Sequence, residues 1–331
     1  MRRLPLLVSF SIAAAAALPA QDRPAAAPLQ HFSVEDGVVP SKSVRDGEAR
    51  YTIWLPKGHG DEANKDKTWP WVLWLSGFGG SNEFQNGGGP AVLDRLREEK
   101  AIPELAFVVY RAPGRRGRSV YMNGEAACDT EDLLVGDLPK FLQEKYRLAS
   151  DRKGRAVIGL SAGGFGALKI ALRHPEFFAA VAAHSAAILP ADPNEVGGMN
   201  EQVVQRFVRG GLAEQLGDPI DPAKWAQHMP LALVAAKKPE ELEGLQIYFD
   251  AGTDDDYGFC PPNEQLSKVM TTHGHKHLFR RVEGGGHAFG SPAMKDNVAH
   301  SLRFVAAVFA GKDAVAELTP KPAAKPAESG K

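Results

Sequence analysis

Short runs of consecutive apolar residues recur along the chain, and they constrain its fold more than any other feature. The runs are residues 70–75, 105–110, 155–160, 179–183 and 245–249. Most of the segments between them have helical periodicity. A strand in a parallel sheet is covered by helices on both faces, so its sequence is apolar throughout. The alternation therefore predicts an α/β fold with a mostly parallel central sheet and helices on both faces.

The segments on either side of this pattern set the expected domain boundaries. Residues 31–39 and 48–55 flank a polar segment, and the second alternates as a half-buried strand does, which predicts an opening antiparallel pair. Residues 21–30 are rich in Ala and Pro, and residues 312–331 repeat Lys, Pro and Ala. We expect a flexible leader and a disordered tail there. One domain is predicted over residues 31–311.

The first twenty residues have the pattern of a secretory signal peptide. Two arginines precede an apolar, alanine-rich run that ends in Leu-Pro-Ala before Gln21. A membrane anchor is the alternative, but Pro5 and Pro19 leave an apolar core shorter than the roughly 20 residues that span a bilayer. We predict cleavage near Ala20, a secreted or periplasmic protein, and no membrane span in the mature chain.

Composition narrows the classes of partner and cofactor. The formal net charge is −1, so no long-range field favours nucleic acid or an anionic membrane. Cys128 and Cys260 could pair in an oxidising compartment or remain separate small apolar residues, and both alternatives stay open. His273, His275 and His277 lack an accompanying Cys or carboxylate ligand pattern. We expect solvated polar side chains there in preference to a metal site.

A serine stands among glycines directly after the third apolar run. Residues 159–163, Gly-Leu-Ser-Ala-Gly, match Gly-x-Ser-x-Gly between a predicted strand and a predicted helix. At such a turn Ser161 adopts a strained conformation, and small neighbours let the strand and the helix pass close together. The alternatives are a turn without chemistry and a phosphate-binding loop. Lys169 replaces the third glycine of a dinucleotide-binding motif, so no cofactor is predicted.

Acid and histidine candidates follow in the order Ser, acid, His that α/β-hydrolases use. Asp254, Asp255 and Asp256 come after the last apolar run, and any of them could accept a hydrogen bond from an imidazole. His287 follows a predicted strand at 278–282, in a loop whose glycines give it freedom to approach the serine. A serine nucleophile needs a base with a pKa near 7 and a carboxylate that fixes the tautomer of that base. The sequence therefore supplies a candidate for each role.

The loop after the first apolar run offers the backbone donors that the reaction would need. An oxyanion hole uses one N–H from the residue after the nucleophile and one from a loop after an earlier strand. We predict Ala162 for the first donor and Phe78 for the second, with Gly79 as the alternative to Phe78. A plain turn after a buried strand, without function, is the other interpretation of residues 76–81.

Four arginines cluster after the second apolar run, on the side of the sheet where the serine is expected. They are Arg111, Arg115, Arg116 and Arg118. They could recognise a carboxylate or phosphate of a substrate. A solvated basic loop is the commoner meaning of such a cluster.

Three stretches carry a family resemblance. They are residues 158–168 with Arg-His-Pro-Glu-Phe-Phe from residue 173, residues 75–81, and residues 121–147. Together they resemble the secreted esterase family that includes feruloyl and acetylxylan esterases, S-formylglutathione hydrolase and the mycolyltransferases. That family more often has His-Gly where this chain has Ser76-Gly77. The resemblance covers about residues 31–310.

The resemblance implies an α/β-hydrolase fold with a small cap insertion at residues 186–243. It places the acid three residues after Gly252, which is Asp255. It implies a serine carboxylesterase without metal or cofactor, acting on a small-molecule or carbohydrate ester such as an acetyl or feruloyl ester. Two alternatives remain, an acyltransferase that uses a sugar or alcohol acceptor and a non-catalytic binding module of hydrolase shape.

Overall fold

The centre of the molecule is an eight-stranded sheet. The computed structural model describes residues 28–80, 83–113 and 117–319. In chain order the strands are β1 (Phe32–Pro40), β2 (Glu48–Pro56), β3 (Trp71–Leu75), β4 (Ala106–Arg111), β5 (Arg155–Leu160), β6 (Ala180–His184), β7 (Gln246–Gly252) and β8 (Leu278–Val282). Their spatial order is β1-β2-β4-β3-β5-β6-β7-β8. The pairs β1–β2 and β2–β4 are antiparallel and all others are parallel, which confirms the predicted sheet and its opening pair.

Helices cover both faces of this sheet. They are α1 (Glu83–Asn86), α2 (Gly89–Glu98), α3 (Thr130–Asp132), α4 (Leu138–Tyr146), α5 (Ala162–Arg173), α6 (Ala213–Leu216), α7 (Pro222–Ala226), α8 (Pro230–Ala236), α9 (Cys260–Thr272), α10 (Asn297–Phe309) and α11 (Ala314–Leu318). Two π-helices, Leu133–Asp137 and Val203–Leu212, continue into α4 and α6. Short 3₁₀ turns occupy Glu62–Asn64, Arg152–Gly154, Pro193–Gly198, Pro239–Leu242 and Ala288–Gly290.

The two layers of helices follow from the alternation of side chains along each strand. In β3, Trp71 and Leu73 belong to one buried cluster, while Val72 and Trp74 belong to another. Successive side chains of a strand point to opposite faces, so the clusters lie on the two sides of the sheet. Helices α4, α5, α8 and α9 contribute to the first cluster, and α2 and α10 contribute to the second.

The segment between β6 and β7 includes residues 186–243, where a cap insertion is expected. Its middle part, around the π-helix Val203–Leu212, forms a third buried cluster with Phe165 of α5. Trp225 anchors this part, since its side chain is fully buried and its indole N–H donates to the Pro190 carbonyl at 2.9 Å. The last helix of the segment, α8, packs instead with the main core beside α5 and α9. Helix α8 therefore contributes to the main core, although it lies within the expected insertion.

Both predicted flexible ends are wrong where the structure describes them. Leu29, expected in the leader, packs against the core, and the Gln30 N–H donates to Asp94 at 2.9 Å. Residues 312–319, expected in the disordered tail, include helix α11 with a fully buried Ala314. The predicted signal peptide, residues 21–27 of the leader and residues 320–331 of the tail lie outside the described residues.

The cysteines, histidines and helices of the described residues bear on the expectations drawn from composition. Cys128 and Cys260 are both buried free thiols. The described ranges contain no cluster of three or more His, Cys, Asp or Glu side chains arranged to hold a metal ion, and none of the helices there combines the length and apolar character needed to cross a bilayer. The expectation of solvated histidines is wrong for His275, which is buried and hydrogen-bonds the Val234 carbonyl at 2.9 Å. His277 is also partly buried, and burial lowers its pKa.

Candidate active site

Ser161 lies at the turn between β5 and α5. Its φ of 59° and ψ of −118° put a non-glycine residue in a sparsely populated conformation. The Ser161 N–H donates to the His184 carbonyl at 2.9 Å, and the Ser161 carbonyl accepts N–H groups from Phe165 at 2.9 Å and Ala187 at 3.0 Å. These bonds hold the backbone in place, and the side chain remains partly exposed. The strained turn predicted from the sequence is present.

Close packing explains the small residues around this serine. A Cβ atom on Gly159 would lie 2.8 Å from the Gly164 nitrogen and would overlap the carbonyl group of Gly163. A Cβ atom on Gly163 would lie 2.6 Å from the Ser76 carbonyl oxygen and would overlap the carbonyl group of Leu75. Strand β5, helix α5 and the exit of β3 therefore pack together too closely for any side chain at these two positions.

His287 and Asp255 form a hydrogen-bonded pair. His287 Nδ1 lies 2.8 Å from Asp255 Oδ2, and the other carboxylate oxygen, Oδ1, accepts the Tyr257 N–H at 2.8 Å. The Asp255 side chain has no exposed surface and that of His287 is 16% exposed. Because a carboxylate accepts from Nδ1–H, the neutral imidazole keeps a lone pair on Nε2, as a general base requires.

The other two aspartates of the turn do not contact the imidazole. Asp254 is exposed and accepts a hydrogen bond from Thr253 at 3.1 Å. Asp256 is also exposed, and its backbone carbonyl accepts from Asn200 at 3.1 Å. Of the three alternatives that the sequence left open, Asp255 is the one beside His287.

Aromatic rings and two packed loops position His287. Tyr257 makes an edge-on contact with the imidazole at a centroid distance of 4.6 Å, and Phe259 lies 5.7 Å away. The Asp254 N–H donates to the Gly285 carbonyl at 2.8 Å, and a Cβ atom on Gly252 would overlap that same carbonyl. The glycines therefore let the His287 loop pack tightly on the Asp255 turn, where the sequence suggested that they confer freedom of movement.

A cavity of about 720 Å³ joins these elements. Ser161, His287, Phe78 and Ala162 all line it, and Gly79 lines it as well. Among the described residues, neither the Phe78 nor the Ala162 N–H donates a backbone hydrogen bond. The side chains that complete the wall include five aromatic rings and four residues of the insertion: Phe78, Phe207, Tyr257, Phe259, Phe289, Gln202, Val203 and Arg206.

Neither of the described arginines of the cluster, Arg111 and Arg118, lines this cavity. Arg111 faces the edge of the sheet, where it pairs with Asp36 at 3.1 Å. Arg118 lies over the Phe78 ring at 5.4 Å and lines a neighbouring cavity of about 440 Å³. Arg115 and Arg116 lie outside the described residues. Within the described ranges, the arginine that lines the serine cavity is Arg206 of the insertion, which the sequence analysis missed because its position depends on how the insertion folds.

A second Ser-His-Asp set is hydrogen-bonded inside the core. His184 Nδ1 lies 2.8 Å from Asp250 Oδ2, and His184 Nε2 lies 2.9 Å from the Ser301 hydroxyl. The Tyr248 hydroxyl also donates to Asp250 at 2.7 Å. His184, Asp250 and Ser301 are fully buried, so no ester can reach this serine. The set joins β6, β7 and α10, and its His184 carbonyl accepts the N–H of Ser161.

Glu83 is a further residue of the cavity that the sequence did not single out. It begins α1, and its carboxyl group accepts the Gly77 N–H at 2.7 Å. Burial raises the pKa of Glu83 to about 8, although the Gly77 N–H opposes the shift. Its only signal in the sequence is its position a few residues after the glycines of the predicted oxyanion loop.

Comparisons with known proteins match most of the chain. Residues 41–300 match a family model described as a putative esterase. The diacylglycerol acyltransferase/mycolyltransferase Ag85A of Mycobacterium leprae is 31% identical, over 67% of this chain and 73% of the relative. Ag85B of the same organism is 32% identical over 53% of this chain and 60% of its own length, less than two thirds of that relative.

A solved structure described as a ferulic acid esterase is also similar. It has a TM-score of 0.66 at 25% identity and covers 84% of this chain and 99% of its own. The resemblance to feruloyl esterases and mycolyltransferases is thus confirmed, as is the α/β-hydrolase fold.

Proposed function

The chain belongs to the putative esterase family, and on that premise we propose that it is an exported carboxylesterase that forms an acyl-enzyme on Ser161. Family membership makes its class that of the serine carboxylic ester hydrolases. The observation that carries the residue assignment is the 2.8 Å hydrogen bond from His287 to the buried Asp255, on the wall of the cavity that contains the strained Ser161. Export rests on the signal-like pattern of residues 1–20.

In the first half of the reaction the Ser161 hydroxyl attacks the ester carbonyl while His287 Nε2 takes its proton. Asp255 holds the ring in the tautomer with Nδ1–H and stabilises the imidazolium that forms. The tetrahedral oxyanion is held by the N–H groups of Phe78 and Ala162. The alcohol then leaves with the proton from Nε2, and the acyl group remains on the serine oxygen.

In the second half a water molecule attacks the acyl-enzyme with His287 again as the base. The serine oxygen leaves with the returned proton, and the carboxylic acid is released. Each backbone donor of the oxyanion hole acts mainly on the charge that develops in the transition state. Loss of one side-chain donor from a related oxyanion hole costs about 3 kcal/mol.

The walls of the cavity favour an ester with an apolar or aromatic part. The rings of Phe207, Tyr257 and Phe259 offer stacking and edge contacts, and about 720 Å³ of space accommodates a small molecule. A carbohydrate-linked acetyl or feruloyl ester fits these properties, and a relative of known structure is described as a ferulic acid esterase. A panel of p-nitrophenyl esters of increasing acyl length, with a feruloyl ester added, measures this preference.

The test of the nucleophile compares Ser161, the proposed nucleophile, with Ser301 of the buried Ser-His-Asp set. Ser161→Ala is expected to abolish hydrolysis of p-nitrophenyl acetate and labelling by a fluorophosphonate probe. Ser301→Ala is the matched control, and it is expected to keep the labelling because Ser301 is buried. Turnover or labelling that survives in Ser161→Ala contradicts the assignment, and an intact protein that never reacts with the probe points to the non-catalytic module.

Acyl transfer is the second candidate, because relatives of this chain are described as diacylglycerol acyltransferase/mycolyltransferases. In that reaction a sugar or alcohol hydroxyl replaces water as the attacker of the acyl-enzyme. Product analysis with and without an alcohol acceptor separates the two reactions. A transfer product that dominates at millimolar acceptor favours the transferase, since water is present at far higher concentration.

A further inference from the structure

The carboxyl group of Glu83 lies inside the turn that carries the proposed oxyanion donor. Its Oε1 atom accepts the Gly77 N–H at 2.7 Å. Its Oε2 atom lies 3.0 Å from the position of a Cβ atom on Gly77 and would overlap a Cβ atom on Gly80. The turn is closed by the Gly80 N–H, which donates to the Gly77 carbonyl at 3.0 Å. The turn therefore wraps around this carboxyl group, and side chains at Gly77 and Gly80 would displace it.

The same carboxyl group is close to the nucleophile. The Cβ position on Gly77 lies 3.4 Å from the Ser161 Cβ atom and 3.0 Å from Glu83 Oε2, so those two atoms are at most 6.4 Å apart. Both residues line the serine cavity. A negative charge on Glu83 would thus stand beside the place where the ester oxygen becomes an anion.

The surroundings of Glu83 disfavour that negative charge. Burial raises the pKa of Glu83 to about 8. His287, Tyr257 and the exposed Arg206 are the other charged or titratable side chains that line the cavity within the described ranges. Behind the turn, the buried Tyr121 hydroxyl donates to the Ser76 carbonyl, and burial raises the pKa of this phenol as well. These surroundings therefore favour the neutral form of the carboxyl group.

We propose that Glu83 is a positioning residue whose neutral carboxyl group holds the turn Gly77–Gly80, so that the Phe78 N–H points at the oxyanion, and whose ionisation weakens the oxyanion hole. The inference rests on the proposed esterase function. The neutral carboxyl oxygen accepts the Gly77 N–H without opposing the charge of the transition state. The ionised form keeps that hydrogen bond but repels the oxyanion across a few ångströms of low-dielectric space.

Two substitutions separate the hydrogen bond from the charge. Glu83→Gln keeps an oxygen that can accept the Gly77 N–H but cannot ionise. Glu83→Ala removes both. Glu62→Gln is the control, because Glu62 is an exposed glutamate paired with Lys65 on a surface turn.

The experiment is the pH profile of kcat and KM for p-nitrophenyl acetate between pH 6 and 10. In the wild type and in Glu62→Gln, we expect kcat/KM to rise along an acid limb and to fall at least tenfold above pH 8. In Glu83→Gln the alkaline fall disappears while the acid limb stays. In Glu83→Ala, kcat decreases about tenfold or more across the range with little change in KM, because only the transition state loses a contact.

Three results would overturn the inference: a wild-type profile without an alkaline fall, the same fall in Glu83→Gln, or a Glu83→Ala enzyme with unchanged kcat. The wild-type profile alone tests the charge effect even if a variant does not fold. The Ser161→Ala result separates a failure of the Glu83 proposal from a failure of the esterase proposal. An inactive Ser161→Ala together with an unaltered Glu83→Gln profile rejects only the role of Glu83, whereas an active Ser161→Ala rejects the esterase mechanism itself.

Discussion

Substitution of Gly163 by alanine tests whether close backbone packing, and not helix propensity, dictates the glycines around the serine. A Cβ atom there would lie 2.6 Å from the Ser76 carbonyl oxygen and closer still to the carbonyl group of Leu75. Both are backbone groups at the buried end of β3, so no side-chain rotation relieves the overlap. Overpacking a core costs about 1–3 kcal/mol, and more where the backbone must move.

We therefore expect Gly163→Ala to lower the free energy of unfolding by about 3 kcal/mol or more. Helix propensity alone predicts the opposite sign, a gain of about 1 kcal/mol for alanine over glycine inside a helix. Because Gly163 is the second residue of α5, its displacement also moves Ser161 and Ala162, and kcat should fall with stability. Urea unfolding measures the first effect as a lower midpoint at an unchanged m-value.

Gly136→Ala is the matched control. Gly136 lies in the π-helix Leu133–Asp137, and a Cβ atom there has no other atom within 4 Å. Its substitution should leave the free energy of unfolding unchanged or raise it by up to about 1 kcal/mol. If Gly163→Ala and Gly136→Ala have the same free energy of unfolding, close packing does not require the glycine at position 163. If Gly163→Ala is stable but inactive, the glycine is needed for the geometry of the site and not for the stability of the fold.

Two further predictions concern carboxylates. Asp255→Asn is expected to lower kcat about 10⁴-fold, because an amide does not hold the required imidazole tautomer; steady-state kinetics check this, and an equal loss in the exposed Asp254→Asn would contradict it. In the core, burial raises the pKa of Glu131, but hydrogen bonds from His174 and the charge of the fully buried Lys169 outweigh it and lower that pKa far below its usual value. The unfolded pKa is the higher one, so the stabilisation by Glu131 is complete at neutral pH and decreases as pH falls below about 4.5. Glu131→Gln should therefore cost about 3–5 kcal/mol of unfolding free energy at pH 7 and less at pH 3.5. Urea unfolding at both pH values measures this difference between wild type and variant. The same difference at both pH values would contradict the pairing of Lys169 with this carboxylate.

The sheet could be predicted from the sequence because its central strands are buried on both faces. Strands β3 to β7 lie under helices on each side, so their burial appears directly as uninterrupted apolar runs. The ends of the domain carry no such signal. The Ala314 N–H donates to Gln246 Oε1 at 2.7 Å, a contact with the start of β7 that a segment rich in Lys and Ala does not announce.

The same distinction applies to the residues of the site, because some follow strand ends and others depend on how loops fold. Asp255 and His287 follow the ends of neighbouring parallel strands, β7 and β8, so strand order alone brings them together at one edge of the sheet. Glu83 and Arg206 could not be predicted. The position of Glu83 depends on how the turn Gly77–Gly80 closes around its carboxyl group. The position of Arg206 depends on the path of the segment between β6 and β7.

Within the described ranges, Ser301 belongs to a buried Ser-His-Asp set, whereas the partly exposed Ser161 lines a cavity beside the His287–Asp255 pair. Ser301 has the direct hydrogen bond to an imidazole, at 2.9 Å, but a covering of core side chains separates it from solvent. Judged by hydrogen bonds alone, Ser301 would be chosen as the nucleophile. We therefore expect access to the surrounding medium to decide which serine reacts with an electrophile. Ser161 lies at a strained turn in the wall of a cavity, whereas the Ser301 hydroxyl joins β6 to α10 inside the core.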